Sequence, residues 1–147
     1  MVARVDSLDG ELIGVHRTWL DHGPDGIWHR CDRASLGPTA GGPVRLGPLD
    51  PDRALIVGEG IETVLSLMQL RGLPGWAAIG TSGLNALVLP LAARRVLIAV
   101  DHDEHGKGEA AAREAGQRWF SEQREVRLAM PIGIGDWNDV LQGRCNV

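Results

Sequence analysis

The chain of 147 residues has little of several residue types, and each shortage excludes a class of protein. It contains no tyrosine, so catalysis cannot use a tyrosine nucleophile. Its two cysteines, Cys31 and Cys145, are too few for a zinc ribbon or a disulfide framework; a single bridge stays open, and reduced thiols are expected. No apolar run approaches the roughly 20 residues that span a bilayer, and no basic and apolar signal segment opens the sequence. We therefore expect a cytoplasmic protein without a membrane partner.

Positive charge is also scarce. The chain has 15 Lys and Arg residues against 19 Asp and Glu residues, which gives a formal net charge of −4. Such a chain has no general basic field for nucleic acid, so nucleic-acid binding requires a local patch. Hydrophobic residues make up 44% of the sequence, enough at this length for the core of one ordinary domain with a small appendage.

The sequence changes in pattern near residue 50. Residues 1–50 contain short apolar pieces, LIGVHRTWL, GIWHR and GPVRL, separated by the turn-forming stretches DHGPDG and GPTAGG. This pattern predicts a small antiparallel β region that includes all three pieces. The stretch PLDPDR, Pro48–Arg53, then forms a boundary, and residues 51–147 are predicted to be a second domain.

Strands and helices alternate in the second segment. ALIVGEG, WAAIG, RVLIAVD and EVRLAM have the short apolar pattern of buried strands, and DWNDVL is a final turn or helix start. Between them, IETVLSLMQLRG is an amphipathic helix with Leu65 in its apolar stripe, Thr81 or Ser82 caps a short helix, and 107–122 is a longer helix. The fold class predicted is α/β: a Rossmann-like parallel sheet of about four strands with flanking helices.

Acidic side chains follow two of the predicted strands. Glu59 comes directly after the first strand, and Asp101, Asp103 and Glu104 follow the third. The carboxyl ends of parallel strands meet at one edge of a sheet, where open α/β proteins build their sites. If the first and third strands are neighbours, their ends lie about 4.8 Å apart, and Asp101 and Asp103 project to the same side while His102 points away. Such carboxylates repel one another unless a cation such as Mg²⁺ lies among them.

Glycines and a lysine lie beside these acids. Gly60 follows Glu59 and allows a ligand to approach the backbone closely, and Gly106 and Lys107 open the long predicted helix. Free N–H groups and the dipole at a helix N-terminus favour a phosphate, and Lys107 adds a positive charge. Gly60, Gly106 and Lys107 are therefore candidate phosphate or nucleic-acid contacts.

Acids, histidines and a tryptophan elsewhere at this edge have simpler interpretations. Asp136 and Asp139, in GDWND, are candidate accessory acids, or they cap their own helix. Trp137 is expected to pack in the core rather than stack on a base. His102 and His105 are expected to be exposed loop residues.

The order and spacing of ALIVGEGIETVLSL, AAIGTSGLNAL, RVLIAVDHDEHGKGEAAAREA and GDWNDVL resemble the Toprim domain, the α/β catalytic module shared by primases, topoisomerases and OLD-family nucleases. The likeness covers roughly residues 54–141 and is strongest to phage and plasmid primase or primase-helicase proteins. The β-rich region before it also resembles the one that precedes Toprim in those proteins. The resemblance implies that Glu59 is the family's glutamate and that Asp101 and Asp103 are its metal-binding pair.

The sequence also departs from that family. Many Toprim domains have a third acid two residues after the pair, where this chain has His105, so a second metal is in doubt. Topoisomerases of types IA and IIA act through a tyrosine, which is absent. The zinc-binding module, further basic segments and helicase of full primases are absent from the sequence too. Three alternatives stay open: an excised fragment, a truncated gene product, or a free-standing Toprim protein that works with a partner.

The resemblance implies Mg²⁺- or Mn²⁺-dependent phosphoryl or nucleotidyl transfer on nucleic acid, as in a primase-like DNA replication protein, with Glu59, Asp101 and Asp103 as catalytic and metal-binding residues. Expected partners are single-stranded DNA, nucleotides and a helicase or other primase domains. The alternatives are a stand-alone Toprim nuclease and a non-catalytic docking module. An aspartyl phosphatase is disfavoured because its Asp-x-Asp pair usually follows the first strand, and GEGIET lacks the glycine spacing of a dinucleotide-binding loop.

Overall fold

The computed structural model describes residues 1–103 and 105–144. Glu104 and Cys145, which enter the predictions above, lie outside the described residues. Among the described residues no helix is both long enough and apolar enough to cross a membrane.

A three-stranded antiparallel sheet forms the N-terminal region, as predicted. Its strands are β1 (Val2–Asp6), β2 (Leu12–His22) and β3 (Trp28–Leu36), in the order β1-β2-β3. The connection between β2 and β3 contains Gly26, whose φ of 77° lies in the left-handed region that glycine tolerates. Val5 on β1 is fully buried and packs on the second sheet, so this region shares part of the core.

The second sheet has five strands in the order β4-β6-β5-β7-β8. Four of them run parallel, as predicted: β5 (Leu55–Gly58), β6 (Gly75–Ala77), β7 (Arg95–Ala99) and β8 (Glu125–Ala129). The fifth, β4 (Val44–Arg45), pairs antiparallel with β6, so the prediction that GPVRL belongs to the N-terminal meander was wrong. Val44 is buried in the core, and the Arg45 guanidinium lies 4.6 Å from the centre of the Trp76 ring, which together favour this edge of the second sheet.

Helices cover both faces of this sheet. They are α1 (Ile61–Arg71), α2 (Thr81–Ala86), α3 (Lys107–Ser121) and α4 (Trp137–Leu141). Helices α2 and α3 share one core cluster with alternate residues of β5 and β7, and α1 and α4 share the other. Trp137 is fully buried in the second cluster, which confirms its expected packing role.

The buried face of α1 differs from the predicted stripe. Leu65 is 44% exposed, whereas Thr63 and Leu67 are buried. The helix packs against both the sheet and α4, so its buried face is turned toward Thr63. That rotation places a hydroxyl group at the end of β7, next to the predicted acids.

Strands β5 and β7 are neighbours in the sheet, and Gly58 is paired with Ala99. The chain crosses from β5 to β6 on one side and places β7 on the other, so the strand order reverses between β5 and β7. Such a reversal opens a crevice at the carboxyl ends of the strands, where α/β proteins bind ligands. Glu59 and Asp101 lie at this point.

Candidate active site

Glu59 lies between β5 and α1, and its two carboxylate oxygens have different surroundings. Thr81 Oγ1 donates a hydrogen bond of 2.9 Å to Oε2, and the Gly80 N–H donates to the Glu59 carbonyl at 3.0 Å. Oε1 is buried and has no hydrogen-bond partner among the residues that the structure describes. A buried carboxylate oxygen without a donor is costly, so a ligand that supplies a donor or a positive charge would be favoured there.

Asp101 follows β7 after Val100 and is half-buried. Thr63 Oγ1 donates to its carboxylate and lies 3.0 and 3.1 Å from the two oxygens. Burial, with smaller effects from the charges of Asp136, Glu59 and Asp103, raises the pKa of Asp101 to about 6, although the Thr63 hydrogen bond lowers it. This carboxyl therefore lies in a field of like charge that a cation would relieve.

Asp103 is held at the start of α3. The His105 N–H donates to Oδ1 at 2.8 Å, and the Gly108 N–H donates to Oδ2 at 3.4 Å. These bonds, with the N–H groups of Gly106 and Lys107, lower the pKa of Asp103 below its usual value. Asp103 is therefore a fixed anion at neutral pH.

The three carboxylates meet at one small cavity of about 150 Å³. Gly108 faces this cavity: a Cβ there would lie 3.5 Å from Glu59 Oε1 and 3.5 Å from Asp103 Oδ2. The two oxygens are consequently no further apart than twice that distance, so both carboxylates face the same cavity. The remaining lining comes from the ends of β7, α2 and α3: Thr81, Leu84, Ala99, Val100, Lys107 and Ala112.

Of the three predicted phosphate contacts, Lys107 lines this cavity, and Gly60 and Gly106 precede the helices next to it. Gly60 precedes α1, and Gly106, with a left-handed φ of 62°, precedes α3. Lys107 lines the cavity and has an exposed side chain. The backbone donors at the start of α3 are already directed at the carboxylate of Asp103.

The two candidate accessory acids have different surroundings. They form a capping box at α4, in which the Asp139 N–H donates to Asp136 Oδ1 at 2.9 Å. Asp136 also acts on Asp101, because its charge raises the pKa of that group. Asp139 instead lies 3.5 Å from the Arg144 guanidinium. Both acids therefore cap α4, and Asp136 also adds negative charge beside Asp101.

His102 and His105 differ in exposure. His105 is exposed, as expected, but His102 is half-buried, so the prediction of an exposed loop was wrong for His102. Its backbone pairs with Gly135 through hydrogen bonds of 2.9 and 3.0 Å, and its ring Nδ1 lies 3.2 Å from the Pro131 carbonyl oxygen. His102 therefore points away from the cavity and ties the end of β7 to the segment that carries Asp136.

Two threonines were missed as site residues. Thr81 was expected to cap α2, but Gly80 occupies that position without a side-chain cap, and the Thr81 hydroxyl bonds Glu59 instead. Thr63 was not singled out at all. The sequence feature that could have identified Thr63 is its position, four residues after Glu59 and about one helical turn further on, where α1 faces the sheet.

The residues present fit a hard divalent cation. The donors are carboxylate oxygens, and one of them is buried with no partner in the described part of the chain. Burial first, and then the charges of neighbouring acids, raise the pKa of Asp101, and a cation would offset both effects. Across residues 1–103 and 105–144, no three His, Cys, Asp or Glu side chains are already spaced as a closed ligand set. Mg²⁺ suits such an open site because it uses one or two carboxylates and completes its shell with water and substrate phosphate.

Comparison with known proteins agrees with this architecture. A family model described as the Toprim domain matches residues 54–146, more than half of the chain. A solved DNA primase domain from Pseudomonas aeruginosa has a TM-score of 0.57 at 15% identity, over 97% of this chain and 46% of that chain. The chain thus spans less than half of that primase domain, and identity this low shows a shared fold alone. No curated protein matches the sequence.

The prediction of family and fold class is thereby confirmed. A five-stranded, mostly parallel sheet with flanking helices, next to a three-stranded antiparallel sheet, is also the fold shared with the primase domain. The chain belongs to the Toprim family.

Proposed function

We propose that the protein catalyses Mg²⁺- or Mn²⁺-dependent phosphoryl or nucleotidyl transfer on nucleic acid, as the Toprim part of a primase-like replication protein. The observation that carries this proposal is the convergence of Glu59, Asp101 and Asp103 on one cavity at the point where the strand order reverses. Residues 51–147 would be the catalytic unit, and residues 1–50 an accessory β region.

The two aspartates would hold the metal ion. Asp103 is fixed as an anion by backbone donors, and Thr63 orients the Asp101 carboxylate. When bound, the ion supplies positive charge that stabilises the phosphoryl group during an in-line displacement. Because a cation favours the ionised form of Asp101, that residue is expected to be deprotonated in the loaded protein.

Glu59 would act as the general base or acid. Thr81 donates to Oε2, and no described residue donates to Oε1, so Oε1 is available to accept a proton from a 3′-hydroxyl or a water, or to return one to a leaving oxygen. Lys107, with backbone access at Gly60 and Gly106, would contact a substrate phosphate. The expected substrates are single-stranded DNA and nucleotides, with a helicase or other primase domains as partners; the cytoplasmic location stays a prediction.

A second candidate is a stand-alone Toprim nuclease. The same groups serve cleavage if Oε1 of Glu59 activates water rather than a 3′-hydroxyl, and the net charge of −4 is no obstacle to a locally bound strand. A docking module without catalysis remains the rival. The buried, unpartnered Oε1 counts against it, because a site kept only for docking gains nothing from that cost.

The direct test compares Glu59→Gln with Glu125→Gln, which makes the same substitution at the other edge of the sheet. Primer synthesis from nucleotides and cleavage of single-stranded DNA are measured with Mg²⁺ and with Mn²⁺. We expect Glu59→Gln to lower turnover by about 10²-fold or more while Mn²⁺ affinity stays close to that of the wild type. Wild-type turnover in Glu59→Gln would refute the assignment of Glu59, and no turnover in the wild type with either metal would favour the docking module.

A further inference from the structure

The β2–β3 hairpin extends beyond β1 and carries exposed aromatic side chains. Strand β1 ends its pairing at Thr18, whose N–H donates to the Met1 carbonyl at 2.9 Å. From Trp19 to His22, β2 pairs with β3 alone, which leaves its other edge uncovered. Trp19 is 44% exposed and Trp28 is 64% exposed, whereas the other three tryptophans of the chain are buried.

An open groove of about 720 Å³ lies along this uncovered edge. Its walls are apolar and aromatic apart from Thr18 and one guanidinium, and they include no Asp or Glu. The lining residues are Met1, Val2, Arg17, Thr18, Trp19, Leu20 and Trp28.

Arg17 gives the groove a free positive charge. Its guanidinium lies 5.1 Å from the centre of the Trp19 ring, and its Nε atom is buried without a hydrogen-bond partner in residues 1–103 and 105–144. Arg17 forms no ion pair with any residue that the structure describes. Asp21 on β2 and Asp32 on β3 accept hydrogen bonds from the N–H groups of the residues that follow them, at 2.9 and 2.7 Å, and do not line the groove.

The second aromatic ring is held in place. The Trp28 ring lies edge-on to the His22 ring, with centres 5.0 Å apart and planes at 78°. The ladder pairs His22 with Trp28, so the strand geometry fixes their separation. Two oriented indole faces beside one unpaired cation match the chemistry of a single-stranded nucleic acid, in which bases stack on aromatic rings and the phosphates require positive charge.

We infer that this groove binds single-stranded DNA by stacking bases on Trp19 and Trp28, with Arg17 at a phosphate. This inference rests on the proposed function, because it assigns the surface that presents the strand to the same protein. The groove would supply the local positive charge that a chain with a net charge of −4 needs in order to bind nucleic acid.

Tryptophan fluorescence tests the inference in metal-free buffer containing EDTA, at low salt, with a single-stranded oligothymidylate as the probe. Because the other three tryptophans are buried, quenching reports the two exposed rings. We expect saturable quenching, a loss of affinity of roughly tenfold or more in Trp19→Ala and in Trp28→Ala, and partial recovery in the Phe variants. Arg17→Gln should reduce the slope of log affinity against log salt by about one unit.

Controls separate this surface from others and from the catalytic site. Phe120→Ala removes an aromatic side chain that is 70% exposed on α3 and should bind the probe as the wild type does. The losses caused by Trp19→Ala and Trp28→Ala should be as large in the Asp101→Asn, Asp103→Asn background as in the wild type, because the groove and the acidic cavity share no lining residue. Circular dichroism spectra that match the wild type establish that each variant is folded.

The outcomes distinguish this inference from the proposed catalytic function. Wild-type affinity in both Trp→Ala variants overturns the inference, as does a complete lack of quenching, which would instead favour a protein partner on this edge. If Mn²⁺ binding and turnover persist in that case, the catalytic proposal stands alone. If quenching behaves as expected but no metal binds, the groove is a DNA-binding surface on a protein without the proposed chemistry.

Discussion

Removal of the Asp101 charge is expected to stabilise the metal-free protein. Burial and neighbouring charges raise the pKa of Asp101 from 3.8 to about 6, so the folded state holds its proton more tightly than the unfolded state does. Between about pH 4 and pH 6 the folded state binds more protons, and stability therefore falls as the pH rises. A shift of this size corresponds to about 3 kcal/mol for a fully dry group, and the partial hydration of Asp101 reduces it to about 2 kcal/mol.

Asp101→Asn is a suitable replacement because the amide oxygen still accepts from Thr63. In EDTA, urea unfolding above pH 6 should show a gain of about 2 kcal/mol over the wild type, and near pH 4 the gain should vanish. Saturating Mg²⁺ should reduce the gain by stabilising the wild type. Asp52→Asn, at an exposed position before β5, is the matched control and should show no gain. If Asp101→Asn lost stability above pH 6, the electrostatic account of the cavity would be wrong.

Three further variants test the surrounding structure. Gly83→Ala places a Cβ 1.8 Å from the Ala78 carbonyl oxygen, so α2 must shift and thermal unfolding should reveal a loss of at least about 2 kcal/mol. Arg124→Met removes a buried guanidinium that donates to three backbone carbonyls, and urea unfolding should show a loss of about 3 kcal/mol. Thr63→Val removes the donor to Asp101, and Mn²⁺ affinity by calorimetry should fall about tenfold, since hydrogen bonds to charged groups contribute about 1.5–3 kcal/mol.

Each of these three variants has a matched control variant. Ser82→Ala, at an exposed position beside Gly83, should leave the unfolding temperature unchanged, and Arg127→Met replaces an exposed arginine paired with Glu125. Thr63→Ser keeps the hydroxyl and should retain most of the metal affinity. If a variant and its control changed stability or metal affinity equally, the contact that the variant removes or crowds would not have the role given to it here.

The parallel sheet, and the position of Glu59, Asp101 and Asp103 at one edge of it, could be predicted from the sequence. Continuous apolar strands alternating with helices fix a parallel sheet, and residues just after β5 and β7 reach one edge once those strands are neighbours. The start of α3 at Lys107 was predicted as well, and its end differs by one residue from the predicted Glu122.

Other features depend on tertiary contacts that no local pattern carries. Strand β4 has only two residues, too few to show an alternation of apolar and polar side chains. The burial of Val44 and the position of Arg45 over Trp76 favour its pairing with β6. The role of Thr63 depends on how far α1 rotates against α4. Asp103 accepts from backbone N–H groups at the start of α3, where Gly106 has a left-handed conformation. A Gly-Lys-Gly stretch permits that conformation but does not specify it.

Calorimetric titration of Mn²⁺ and Mg²⁺ tests the central claim most directly, with the wild type, the Asp101→Asn, Asp103→Asn double variant and Asp52→Asn. The account predicts saturable binding to the wild type and to Asp52→Asn, and loss of that binding in the double variant, because the carboxylates at the ends of β5 and β7 would then lack the pair that holds the cation. Equal affinity in all three proteins, or no binding in any, would contradict it.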